Sequence, residues 1–225
     1  MGTGRCFESA AVINTGRCRR MIKQEFLKSL NNYTSDSDQQ LTMWSEIQKN
    51  YSKPNRHYHN LVHLNSILAE LEIHQDKFSN WNTIIFAIVY HDFVYNTLKS
   101  NNEERSAEAA IKKLTHISFP KKLVVFCCHL ILSTKKHEPS DSETNLFTDA
   151  DLSILGSDSE TYTLYSKQIR REYSIFPDLV YNPGRKKVLT HFLNMNTIYK
   201  TKEFSDKYEL AARANLQTEL NALQT

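Results

Sequence analysis

From Trp81 to Tyr90 the chain reads WNTIIFAIVY, and the run from Ile84 to Tyr90 leaves no polar face. A helix that is apolar all round has to lie inside the protein, so the rest of the chain must wrap around this one. His91 and Asp92 follow directly, at the start of HDFVY. An imidazole and a carboxylate at the rim of a core need partners, because burying an uncompensated charge is costly. A divalent cation would satisfy both at once. A helix that simply surfaces at this point and shows both groups to water is the alternative.

Upstream, Arg56-His57-Tyr58-His59-Asn60-Leu61-Val62-His63 places two histidines four apart, a spacing that stacks side chains on one helical face. Leu61, Leu64, Ile67, Leu68 and Leu71 continue the helical period, which predicts a second buried helix carrying His59 and His63 near its start. Downstream, Asp149-Ala150-Asp151-Leu152-Ser153-Ile154-Leu155-Gly156 sets acids in an apolar run, with Asp151 between Phe147, Ala150 and Leu155. A carboxylate there is awkward as a purely structural residue. His63, His91, Asp92 and Asp151 together make a mixed nitrogen and oxygen ligand set.

Helical periodicity dominates elsewhere too. Ile22, Phe26 and Leu30 open a first helix, and a polar break runs from Asn31 to Ser37. Leu41, Trp44, Ile47 and Tyr51 mark a second helix, ended by Pro54. Further helices are expected over 103–114, 123–132, 157–173, 184–195 and 208–223. Gly156 reads as a C-cap of the DADL helix. No segment alternates strictly enough to be a strand. The expected fold class is therefore all-α, with at least eight helices and no sheet beyond two short strands. It is read as one bundle-like domain over residues 21–225 with the metal site between facing helices. Residues 1–20 read as a loosely held extension containing TGRC twice.

The 225 residues are 40% apolar, enough for a sizeable core, and the net charge of +3 gives no strong nucleic-acid signal. No apolar run is long enough to span a membrane. The N-terminus lacks the layout of a secretion signal. Four cysteines with no CxxC pair make neither a disulfide framework nor a structural zinc site, which fits a reducing, cytoplasmic setting.

The ordered set His63, His91-Asp92, Asp151 resembles the H…HD…D signature of HD-domain metal-dependent phosphohydrolases. Tyr58-His59-Asn60 followed by His63 is similar to the YHNxxH string of cyclic nucleotide phosphodiesterases, distant members of that superfamily. Closer still is a group of small predicted HD hydrolases that carry RxYHNxxH, YHD, NEERSA, TxxH, DADLxILG and a late YxxGR. Here these are Arg56 to His63, Tyr90 to Asp92, Asn102 to Ala107, Thr134 to His137, Asp149 to Gly156 and Tyr181 to Arg185. The resemblance covers about Met43 to the C-terminus. It implies an HD-type helical array and a reaction class, not a substrate.

A divalent ion (Mn, Mg, Fe, Co, Ni or Zn) held by His63, His91, Asp92 and Asp151 lowers the pKa of bound water and can supply hydroxide near neutral pH. The expected reaction is hydrolysis of a phosphate ester, of a nucleotide or related small molecule. Asp92 or Asp151 can take a proton from the water. In phosphodiesterases with the matching string the first histidine is taken as the acid and the second as the ligand, which implies His59 as proton donor and His63 as ligand. The swapped assignment, or a helix-capping His59, stays open. Glu103 or Glu104 can touch the metal water or hold a ligand histidine, or simply favour a helix dipole. Arg56, Arg170 and Arg185 are candidates for gripping phosphate. His137 can ligate a second metal or reach substrate, and Tyr95 can line the pocket. A catalytically silent nucleotide- or metal-binding regulator on the same fold is the competing expectation.

Overall fold

The computed structural model describes residues 21–223. The expected N-terminal extension, with Cys6 and Cys18, lies outside them. The described residues form ten α-helices, two 3-10 turns and no strand. In order they are α1 (Ile22–Leu30), α2 (Ser37–Tyr51), α3 (Leu61–Leu71), a 3-10 turn (Glu72–Lys77), α4 (Trp81–Tyr90), α5 (Asn102–His116), α6 (Lys121–Ser133), α7 (Ser142–Asp151), a second 3-10 turn (Leu152–Gly156), α8 (Ser159–Glu172), α9 (Asp178–Leu193) and α10 (Lys202–Ala222).

The apolar helix α4 is the centre. It packs against α1, α3, α5 and α6, and Ile84 through Val89 are wholly buried. Each such aliphatic or aromatic side chain contributes about 1.5–3 kcal/mol on burial. Phe86 meets Phe26 and Phe119 edge to face, with ring centroids 5.8 and 5.0 Å apart. Asn80 starts the helix by accepting from the Thr83 amide at 2.9 Å, a cap of about 1 kcal/mol. At the other end the Tyr51 hydroxyl donates to the Val89 carbonyl at 2.9 Å. That carbonyl is among the last four of the helix, which have no partner within it.

Helix α3 begins later than the His59–His63 spacing predicts. Asn60 is extended, and its side chain accepts from the Val62 amide at 2.8 Å and donates to the His57 carbonyl at 2.9 Å. This cap ends the preceding turn, so His59 lies in the lead-in loop and His63 in the first turn of the helix. The two histidines do not share a helical face.

Helix α3 packs on both α4 and α7, so the first turn of α3, the end of α4 and the end of α7 meet. Asp149 and Asp151 diverge by roughly 200° around α7 at about 100° per residue. Asp149 is fully buried and anchors the segment that leads into α10: its carboxylate accepts from the Lys200 and Thr201 amides and pairs with the Lys200 ammonium at 2.7 Å. Asp151 faces the junction with α3 and α4. Gly156 is not a left-handed cap. A Cβ there would stand 2.5 Å from Tyr208 Cβ and 2.7 Å from the Tyr208 carbonyl, so glycine permits close packing of α10 on the turn.

Helices α8 and α9 fold over one end. Arg170 pins their junction, pairing with Asp178 at 2.7 Å and donating to the carbonyls of Tyr173 and Phe176. Of the sixteen residues in α9 only Arg185 and Leu189 are buried. Cys127 and Cys128 are free and buried in α6. No helix among the described residues is long and apolar enough to cross a membrane.

Candidate metal centre

His63, His91 and Asp92 bring one ligand atom each within 4.8 Å of one another, close enough to hold a metal ion. The two Nε2 atoms are 3.2 Å apart, and Asp92 Oδ2 lies 3.1 Å from His91 Nε2 and 3.8 Å from His63 Nε2. Asp151 Oδ1 approaches the same two ring nitrogens, at 3.2 Å from His63 and 3.6 Å from His91. His91 Nδ1 donates to the Ile88 carbonyl at 2.9 Å, which orients the ring and leaves Nε2 for the cluster. Such an outer hydrogen bond is what a metal-ligating histidine needs. Two imidazoles and the Asp92 carboxylate close around one point, with the Asp151 carboxylate against both histidines, and such a set suits a borderline divalent cation.

The electrostatics are those of a site with a deficit of positive charge. Asp92 is half-buried, and although desolvation opposes its charge, His91 and His59 hold its carboxyl well below the usual range. Asp151 is likewise held low against burial by hydrogen bonds from His137 and His63. Burial alone would lower the pKa of His91, but Asp92 and Asp151 push it up to about 9. Burial wins at His63, whose pKa falls despite Asp151. In metal-free protein one proton on His91 thus substitutes for a cation.

His59 stands beside this cluster, its Nε2 3.9 Å from Asp92 Oδ2. Its other nitrogen, Nδ1, lies 2.6 Å from Glu172 Oε2. Glu172 is buried, and the His59 hydrogen bond still draws its pKa down to about 2. An ionised carboxylate only accepts, so Nδ1 carries a proton and Nε2 turns towards Asp92. Glu172 also accepts from the backbone amides of Tyr58 and His59 through Oε1 and from the Tyr95 hydroxyl through Oε2, at 2.7, 2.9 and 2.7 Å. Burial lowers the affinity of His59 for its proton, whereas Asp92 and Glu172 raise it, and the net pKa is above the usual value.

Glu172 was not among the residues singled out from the sequence. Tyr162, Tyr165, Ile169 and Glu172 form one helical stripe of α8, and an acid on an otherwise apolar stripe is the signal that could have found it. Tyr95 lines the cavity, with its ring centroid 4.4 Å from that of His59. His137, from the lysine-rich loop, turns inward with a positive φ and sets Nε2 3.1 Å from Asp151 Oδ2.

The arginines and Glu104 are engaged elsewhere. Arg56 is buried, donates to the His59 and Phe93 carbonyls at 3.0 and 3.1 Å, and sits over the Tyr51 ring. It braces the two histidine-bearing segments. Arg170 pins the α8–α9 junction as described. Arg185 reaches the cavity wall, but its guanidinium is spent on a two-pronged pair with Glu219 at 2.7 and 2.9 Å. Glu104 pairs with Lys135, while its neighbour Glu103 lines the cavity.

Over the cluster opens a cavity of about 680 Å³, lined at one end by His59, His91, Asp92, His137 and Asp151. Compared with protein-family models, with curated proteins and with solved structures, the chain matches none of them.

Proposed function

We propose that this chain is a metal-dependent phosphohydrolase of the HD-domain type, acting on a small phosphate ester. The observation that carries the reading is the gathering of His63, His91 and Asp92 within reach of one ion, with Asp151 against both histidines and His59 beside them under a cavity. His63, His91, Asp92 and Asp151 would hold the cation. When bound, it lowers the pKa of water and neutralises charge on a phosphoryl oxygen.

The rest of the chemistry falls to the side chains. Asp92 and Asp151 are ionised and can accept a proton from the attacking water. His59 turns Nε2 towards the cluster while Nδ1 is held by Glu172, so its charged form presents a proton from Nε2 to the departing alkoxide. Glu172 keeps that ring in the donating orientation and stabilises its charged form. Arg56 holds the His59 carbonyl to that of Phe93, so the acid and the HD pair keep their spacing.

Metal analysis of purified protein, followed by a hydrolysis screen pairing each divalent metal with a panel of phosphate monoesters and diesters, tests this. One equivalent or more of metal and metal-dependent release of phosphate or alcohol are expected. Stoichiometric metal with no ester hydrolysed under any pairing would overturn it.

A further inference from the structure

The connection between α8 and α9 protrudes. Of the seven residues from Ser174 to Val180, six are exposed and only Phe176 is half-buried. Three of the exposed ones are aliphatic: Leu179 at 89%, Ile175 at 64% and Val180 at 56%. Single exposed aliphatic side chains are common on proteins, whereas three at one turn mark a contact surface. Charge follows behind them. From Lys167 to Lys187 the chain has six cations and two acids. Arg170 is matched by Asp178 and Arg185 by Glu219, while Glu172 is buried against His59. Lys167, Arg171, Lys186 and Lys187 are left with no carboxylate partner among the described residues. Lys186 and Lys187 stand seven residues beyond Leu179 and Val180, about 10 Å along α9 and close to two full turns, which keeps them on the same face.

We infer that this tip docks reversibly on an anionic lipid surface, with Ile175, Leu179 and Val180 entering the boundary between headgroups and acyl chains and the four free cations meeting lipid phosphates. This is contact with a surface and not a span, since no helix among the described residues is long and apolar enough to cross a membrane. Apolar side chains seated in this way go about 5–10 Å deep. That depth matches the spacing of about 10 Å between the aliphatic tip and the lysines of α9. Charge selects the lipid: each basic residue near a negative surface strengthens binding about fivefold. Asp178, the one acid at the tip, has its charge answered by Arg170 at 2.7 Å. A protruding turn offers no groove for the side chains of a protein partner, whereas lipid moulds to any shape. Phe176 and Val180 also line the cavity, so docking brings the candidate metal centre to the lipid surface. The inference stands whether or not the chain is a hydrolase.

The test is co-sedimentation of the purified full chain with vesicles of phosphatidylcholine, alone or mixed with phosphatidylserine. Binding to the mixed vesicles should exceed binding to phosphatidylcholine by about tenfold or more at low salt, and should fall as salt screens the cations. Ile175→Asp combined with Leu179→Asp should remove binding to both. Lys186→Glu combined with Lys187→Glu should reduce the mixed vesicles to the phosphatidylcholine level. All four side chains lie outside the core, so circular dichroism should match the wild type. Leu179→Trp keeps the tip apolar, and its fluorescence should shift to the blue on the mixed vesicles. Sedimentation with neither vesicle leaves the face to a protein partner and overturns the inference. Equal sedimentation with both, binding that survives both double substitutions, or binding without the blue shift overturns it too. So does a dimer, seen by light scattering, that Ile175→Asp with Leu179→Asp dissolves, because the face then belongs to a second copy.

Discussion

Glu172 Oε2 lies 2.6 Å from His59 Nδ1, joining residues 113 positions apart in the chain. The same carboxylate takes two backbone amides of the segment that leads into α3 and the hydroxyl of Tyr95. One buried acid therefore fixes the backbone, the ring orientation and the charge of the candidate proton donor.

Glu172→Gln keeps the volume and an accepting oxygen but removes the charge. Turnover of esters with poor leaving groups should fall by about one to two orders of magnitude, part of the full contribution of an acid. Metal content should not change, since no hydrogen bond joins Glu172 to any of the four proposed ligands. Steady-state kinetics beside elemental analysis checks this, and loss of metal in the variant would reassign Glu172 to the metal centre.

Ligand and acid separate cleanly. Asp92→Ala should abolish metal and activity together. His59→Ala should keep the metal and lose two to four orders of magnitude in turnover, roughly the range of general acid catalysis. The loss should shrink for a nitrophenyl ester, whose leaving oxygen needs little protonation. A His59→Ala protein as poor in metal as Asp92→Ala would make His59 the ligand.

Metal affinity should depend steeply on pH. The His91 pKa stands at about 9 in metal-free protein, and a cation needs the lone pair that this proton occupies. Below pH 9 each binding event releases about one proton, so affinity should rise about tenfold per pH unit between pH 6 and 8. Calorimetry in buffers of different ionisation enthalpy counts the proton. An affinity flat across that range would contradict the charge state described for the cluster.

Arg185 belongs to the frame more than to the substrate. Its pair with Glu219 is nearly buried, and the Tyr162 hydroxyl donates to the same carboxylate at 2.6 Å. Arg185→Ala strands that acid and should cost on the order of 3 to 5 kcal/mol of stability. Denaturant unfolding measures it. A variant of wild-type stability with a raised KM would return Arg185 to phosphate binding.

Long periodic segments were legible in the sequence. The all-apolar α4, the DADL run and the early amphipathic helices are each dictated by burial of a face, and the structure has them. His63, His91 and Asp92 were legible because histidines and acids at the ends of apolar runs have few bland explanations. Boundaries set by single polar residues were less so. Asn60 caps α3 and shifts His59 off the helix, while Asp149 and Asp151, two residues apart, serve different partners. Glu172 escaped because its meaning lies in pairings with Tyr95 and His59, 77 and 113 residues away, which no local period records. The arginines looked alike on paper. Only their neighbours, two carbonyls for Arg56, Asp178 for Arg170 and Glu219 for Arg185, tell them apart.

The distance in sequence between His59 and Glu172 also imposes an order on assembly. During synthesis the N-terminal parts of a chain emerge first, so His63, His91, Asp92 and Asp151 leave the ribosome before Glu172 does. A nascent chain thus presents the candidate metal donors while His59, the candidate proton donor, still lacks the acid that anchors it.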